Sequence, residues 1–130
     1  MAKILITGGA GFIGSSLALA LLNENHDIII VDNLITGNEK LIPESENCKF
    51  VNLNVNLYDE IRPIFQKNKF DYIFHFAALV GVNRTIENPI EVLKDIQGFA
   101  NIFNLSVDNK IKRIYYSSTS CGCSTIYHRY

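Results

Sequence analysis

Five short apolar runs punctuate the chain: KILIT (3–7), DIIIVD (27–32), CKFVNL (48–53), DYIFHF (71–76) and KRIYYSS (112–118). Ile28, Ile29, Ile30 and Val31 follow one another with no polar residue between them. A strand with one wet face would alternate, so this run predicts a strand covered on both faces, as in a parallel sheet. Longer stretches with helical spacing lie between the runs. Ile13, Leu17, Ala20 and Leu21 fall at i, i+4, i+7 and i+8, predicting a helix over 13–24 with that face turned inward. Asn25 follows it, a residue that tolerates the left-handed backbone closing many helices. Leu57, Ile61, Ile64 and Phe65 repeat the spacing, with Asn56 as candidate N-cap. Pro63 in that stretch predicts a late start or a kink.

The third helical stretch, 89–109, differs. Ile90, Leu93, Ile96, Phe99, Ala100, Phe103 and Val107 form one stripe, while Val92, Ile102 and Leu105 lie off it. A helix apolar over most of its circumference is covered on two sides, here by the sheet and by a partner chain. Strands and helices alternating with short joins predict the α/β class: a doubly wound parallel sheet of five strands with right-handed crossovers.

Composition narrows the picture. With 130 residues, 48% of them hydrophobic, the chain has enough apolar surface for one domain with its own core. A formal charge of −1 lacks the basic excess of a nucleic-acid binder. No apolar run approaches the roughly 20 residues of a membrane span, and MAKILITGG runs straight into a glycine turn, as a first strand does and a signal peptide does not. The cysteines, Cys48, Cys121 and Cys123, are odd in number and read as reduced thiols of a cytoplasmic protein. A metal would need further convergent ligands, and only His128 and distant residues are at hand, so no metal site is expected.

ITGGAGFIG (6–14) follows the first strand and opens the first helix. A helix N-terminus offers unpaired N–H groups and partial positive charge, which suit a pyrophosphate. Glycine at the turn permits positive φ, glycine facing the phosphates lets the backbone approach, and Gly14 lets helix pack on strand. Gly9, Gly11 and Gly14 give one spacing and Gly8, Gly11 and Gly14 another; a tight βα turn without ligand is the plain alternative. Asp32 ends the second strand, 18 residues past Gly14. A carboxylate there accepts from adenosine ribose hydroxyls and repels a 2′-phosphate, which points to NAD rather than NADP.

TGGAGFIG, VDNL, HFAA and YYSSTS, in this order, resemble the extended short-chain dehydrogenase/reductase family, from residue 2 to about 120. Within it the likeness is to NAD-dependent nucleotide-sugar epimerases and dehydratases of the UDP-galactose 4-epimerase kind. The resemblance implies a Rossmann-like NAD-binding domain over 1–118, incomplete relative to the family, and an atypical tail over 119–130. Gly8, Gly11 and Gly14 match its glycine turn, with Phe12 and Ile13 at the positions whose backbone faces the pyrophosphate. Asp32 and Asn33 match its ribose contacts. Asn54 and Val55 fall where an acidic and an aliphatic residue usually bracket adenine, so the charge is lost there. Phe76, Ala77, Ala78 and Leu79 match the loop after the fourth strand that lines the cofactor; His75 before them reads as a packed histidine. Asp95 falls where the family prefers Asn, and a buried carboxylate there is costly unless paired. Asn83 and Arg84, read as loop residues, are candidates to touch substrate.

Thr119 matches the family's catalytic Ser/Thr, whose hydroxyl orients the sugar hydroxyl being oxidised. The family's base, a Tyr in a Y-x-x-x-K pair, has no match in this chain. After SSTS the text runs CGCSTIYHRY rather than towards V-Y-G, so the tail is expected to be foreign to the family, as after a frameshift or an interrupted gene. The expected function is the NAD-binding portion of a nucleotide-sugar epimerase or dehydratase, with transient hydride transfer from sugar to NAD, inactive as this chain. A non-catalytic NAD-binding module acting through a partner and a non-functional remnant are the alternatives. The exposed fifth strand and the apolar helix predict self-association or limited solubility, with a homodimer through 89–109 as the candidate assembly.

Overall fold

The computed structural model describes residues 1–79 and 82–117. Its sheet comprises β1 (Lys3–Thr7), β2 (Asp27–Asp32), β3 (Cys48–Asn52), β4 (Tyr72–His75) and β5 (Arg113–Tyr116), in the order β3-β2-β1-β4-β5. Every pairing is parallel, with β1 in register from Lys3↔Asp27 to Thr7↔Val31 on one side and from Ile4↔Tyr72 to Thr7↔His75 on the other. The chain steps outward from β1 to β3, then returns to place β4 on β1's other side. That reversal opens a crevice beyond the carboxyl ends of β1 and β4, the place where doubly wound sheets bind ligands.

The unbroken Ile runs are explained by what covers each face. Leu5, Ile29, Val31 and Ile73 pack with Ile61, Phe65, Ile102 and Leu105 on one side. Ile4, Ile6, Ile28 and Ile30 pack with Ala18 on the other. Successive residues of a strand point to opposite faces, so covering both faces leaves no room for a polar alternation. β3 and β5 lie at the sheet's margins and are more exposed.

The helices are α1 (Phe12–Asn23), α2 (Tyr58–Lys67), α3 (Val82–Glu87) and α4 (Pro89–Asp108), with a 3-10 turn at Glu39–Leu41. α1 ends as expected, Asn25 taking φ 62°, but its contact face is not the expected one. Gly14, Ser15 and Ala18 are buried, Leu17 and Leu21 flank them, and Ile13 is 65% exposed. Small residues make the contact because the helix lies close on the sheet. In α2 the N-cap is Leu57 rather than Asn56, and the helix starts at Tyr58 and runs through Pro63. A proline there removes one backbone donor; burial of Ile61 and Phe65 on either side of it holds the element. α3, expected as loop, is a short helix that carries Asn83 and Arg84.

α4 has the two apolar sides expected of it: Ile102 and Leu105, off the stripe, pack with the sheet residues. Its buried residues are Gly98, Asn101, Ile102, Leu105 and Ser106. The apolar stripe faces outward: Ile90, Leu93, Ile96 and Val107 are each more than 60% exposed. The buried side of α4 is thus off the stripe, with Ile102 and Leu105 in the core and Gly98 and Asn101 against the loop after β3.

Candidate functional site

β1 delivers the chain to the crevice at Thr7, which is fully buried. Gly8 then takes φ +69°, and a Cβ there would stand 2.7 Å from the Phe76–Ala77 backbone. Conformation and space both demand glycine. The Gly11 N–H donates to the Gly8 carbonyl at 3.2 Å, closing the turn. A Cβ at Gly14 would press on Gly8 O at 2.6 Å and on Gly9 Cα at 2.7 Å, so α1 can begin here only because residue 14 has no side chain. Gly11 caps α1 with no side-chain hydrogen bond. The N–H groups of Phe12, Ile13 and Gly14 have no partner within the helix, and they border the crevice.

Asp32, at the end of β2, is 8% exposed. Its Oδ2 accepts the Ala10 N–H at 3.0 Å and its Oδ1 accepts the Leu34 N–H at 2.8 Å. The carboxylate is therefore fixed against the glycine turn, and each oxygen retains a lone pair for a ligand hydroxyl. Asn33 Oδ1 accepts from Ile35 N, and Asn54 Oδ1 from Asn56 N at 2.9 Å, so both amides shape their own loops. Gly37 closes over Asp32: a Cβ there would lie 2.9 Å from Asp32 Oδ1 and from Ala10 Cβ.

These segments enclose a cleft of about 1080 Å³. Gly8, Gly11, Phe12, Ile13 and Gly14 of the turn line it together with Asp32, Asn33, Asn54, Val55, Phe76, Ala77, Ala78 and Leu79. Every residue expected at a cofactor thus borders one space. The crevice is also lined by Arg84 on α3, the substrate candidate, by Asp95 on α4, and by residues that the expectation did not include: Ile35, Thr36 and Gly37 after β2, Glu87 on α3 and Glu91 on α4. Gly37 had a visible signal, a glycine shortly after the strand-ending Asp. Glu87 and Glu91 had none, because their approach depends on the packing of α3 and α4. Thr119, the expected catalytic hydroxyl, lies outside the described residues; Ser117, two positions earlier, lines the cleft.

A second cavity of about 460 Å³ adjoins, lined by His75, Ala77, Ala78, Asp95, Phe99 and Ser117 among others. His75 is the packed histidine expected at the end of β4. It is 6% exposed and shares a 2.6 Å hydrogen bond with Thr7 Oγ1, which also accepts the Ala77 N–H at 3.2 Å. Burial pushes its pKa down to about 4, against the charge of Asp95, which acts to raise it. The ring is neutral at pH 7. Among the described residues no group of three His, Cys, Asp or Glu could hold a metal, and no helix is long and apolar enough to cross a membrane.

A doubly wound parallel sheet with a glycine turn, an open helix N-terminus and a strand-ending carboxylate defines a dinucleotide-binding domain. Residues 4–124 match the family described as "NAD dependent epimerase/dehydratase family", and the chain belongs to it. The match continues a few residues past the point, about 120, where the likeness was expected to stop. The chain is similar to UDP-arabinose 4-epimerase 1 of Arabidopsis thaliana, 34% identical over 94% of this chain and 30% of that protein. An epimerase structure from Methanothermobacter thermautotrophicus superposes with TM-score 0.89 at 32% identity, covering 96% of this chain and 37% of that one. The UDP-glucose 4-epimerase of Thermus thermophilus in complex with NAD gives 0.83 at 25% identity, over 90% of this chain and 37% of the other. The chain spans 29% to 37% of the length of such curated relatives. The family's cofactor is NAD.

Proposed function

We propose that this chain is the NAD-holding portion of a nucleotide-sugar epimerase or dehydratase. The observation that carries the reading is convergence: residues from the ends of β1, β2, β3 and β4 border one cleft, with the Asp32 carboxylate anchored at the glycine turn. The N–H groups of Phe12, Ile13 and Gly14 are placed to take the pyrophosphate, Asp32 and Asn33 the adenosine ribose, and Asn54 and Val55 the adenine. Phe76, Ala77, Ala78 and Leu79 wall the remaining length and exclude water from it. Bound NAD supplies a hydride acceptor. Thr119 is proposed to orient the sugar hydroxyl in an oxidoreductase half-step of an isomerase or dehydratase cycle, on a nucleotide sugar such as the relatives' names describe.

In this reading the cofactor unit runs over 1–118, and the atypical tail 119–130 lies outside it. Three cysteines with no expected pairing suit a cytoplasmic setting. The sequence carries no YxxxK pair, so binding without turnover is the expected behaviour of the chain by itself. A second reading, an NAD-binding module that acts through a partner, draws support from the outward apolar stripe of α4; a homodimer through that helix is the simplest partner.

Calorimetric titration of NAD into the 130-residue chain, with NADP in parallel, tests the reading. Saturable binding that prefers NAD is expected, because the Asp32 carboxylate would repel a 2′-phosphate. Equal affinity for both dinucleotides, or no binding by folded chain, refutes it. Nucleotide-sugar turnover by the purified chain would refute the inactive assignment alone.

A further inference from the structure

Asp95 on α4 gives each carboxylate oxygen to a different loop. Oδ2 accepts the Leu79 N–H at 2.6 Å, and Oδ1 accepts from Asn56 Nδ2 at 3.3 Å. Leu79 follows β4 and Asn56 follows β3, and both residues border the cleft. β3 and β4 are separated in the sheet by β2 and β1. No ladder hydrogen bond can therefore hold these two loops to each other, and α4 supplies the tie.

A second observation marks the same spot. Asn56 Oδ1 is buried with no hydrogen-bond partner. Buried polar atoms are rarely left so. The amide is held that way round because Asp95 offers only acceptors, so Nδ2 must face it. Gly98, one turn along α4, makes room for the stranded carbonyl: a Cβ there would collide with Asn56 Oδ1 and stand 3.1 Å from Val55 Cγ2. The fold tolerates an unmet acceptor in order to keep the Asn56–Asp95 contact.

We propose that Asp95 is a positioning residue for the cofactor, bracing the Asn54–Asn56 and Phe76–Leu79 walls at the separation a dinucleotide requires. The proposal rests on the NAD reading above. Asp95 acts through the loops, and preorganising them spares the ordering cost that binding would otherwise meet.

The test compares NAD affinity by calorimetry with thermal unfolding of the cofactor-free chain, for the unsubstituted protein, Asp95→Ala, Asp95→Asn and Asn56→Ala. Asp95→Ala removes both arms and is expected to weaken NAD on the order of tenfold. Asp95→Asn keeps an oxygen for Leu79 and lets Asn56 turn its carbonyl to the new amide, so affinity should stay within about threefold. Asn56→Ala removes one arm together with the stranded carbonyl. It should unfold at the same temperature or higher yet bind NAD several-fold more weakly, opposite signs that a merely structural role would not produce. This variant also carries the test if Asp95→Ala does not fold. Unchanged affinity in Asn56→Ala or in folded Asp95→Ala overturns the brace while leaving the NAD reading intact. So does an Asp95→Asn loss as large as that of Asp95→Ala, which would make charge the agent. Absence of binding by the unsubstituted chain overturns the NAD reading and the brace with it.

Discussion

Thr7 and His75 face each other across neighbouring strands, in register, and His75 lines the second cavity. Burial lowers the His75 pKa from 6.5 to about 4, and the sign of the consequence follows. Between these values the unfolded chain binds a proton that the folded chain refuses, so stability is complete above about pH 6.5 and falls as pH drops towards 4. The loss amounts to about 3 kcal/mol if the depression is fully expressed. Urea unfolding at pH 7 and pH 4.5 should show it in the unsubstituted chain, and His75→Asn should flatten that slope. An identical slope in both proteins would refute the assignment. Asp71 acts in a different window. Its bond to Lys112, with help from the Lys3 N–H, lowers its pKa from 3.8, so the stability it contributes is lost only below that value.

At this scale the glycine turn and Asp32 were legible in the sequence, because their chemistry is local: turn, helix start and strand end lie within one βαβ unit. The partners of Asp95 were not. They stand 16 and 39 residues away, and only the packing of α4 brings them together.

Among the elements, α4 separates what periodicity can reveal from what it cannot. Counting apolar residues selects the stripe through Leu93 and Ile96, with Ile102 and Leu105 off it, but gives no reason to place Gly98, Asn101 and Ser106 on the buried side. Asn101 belongs there because Nδ2 donates to the buried Val55 carbonyl at 2.9 Å, a bond no hydrophobic count can anticipate. The strands suffered no such ambiguity: a run such as DIIIVD buries both faces whichever way it is turned. α3 was missed because six residues, VNRTIE, are too few to show a period. Two substitutions test the face assignment. Ile102→Ala should cost roughly 2–5 kcal/mol, as truncation of a fully buried aliphatic does. Leu93→Lys, at a site 64% exposed, should change monomer stability by less than about 0.5 kcal/mol. Chemical denaturation measures both, and the reverse order would refute the face assignment.

On the scale of the whole molecule, the outward stripe of α4 does not stand alone. Phe99 stacks on Phe103 at 4.4 Å, and Tyr116 of β5 meets both edge-on, at 5.3 and 6.2 Å. Ile90, Leu93 and Ile96 extend this cluster along the helix, each more than 60% exposed. Beside it β5 pairs with β4 alone among the described strands, so its outer edge continues the same surface. A contiguous apolar face next to an unpaired strand edge favours association. Sedimentation of the chain over a range of concentrations should therefore show dimers or larger species that grow with concentration. Leu93→Lys combined with Ile90→Lys should shift the population towards monomer by placing like charges on the face. Neither residue lines the main cleft, so NAD binding should survive the change, which separates loss of association from loss of fold. A monomer at every concentration in the unsubstituted chain would mean that the face is covered in some other way and that the association prediction is wrong.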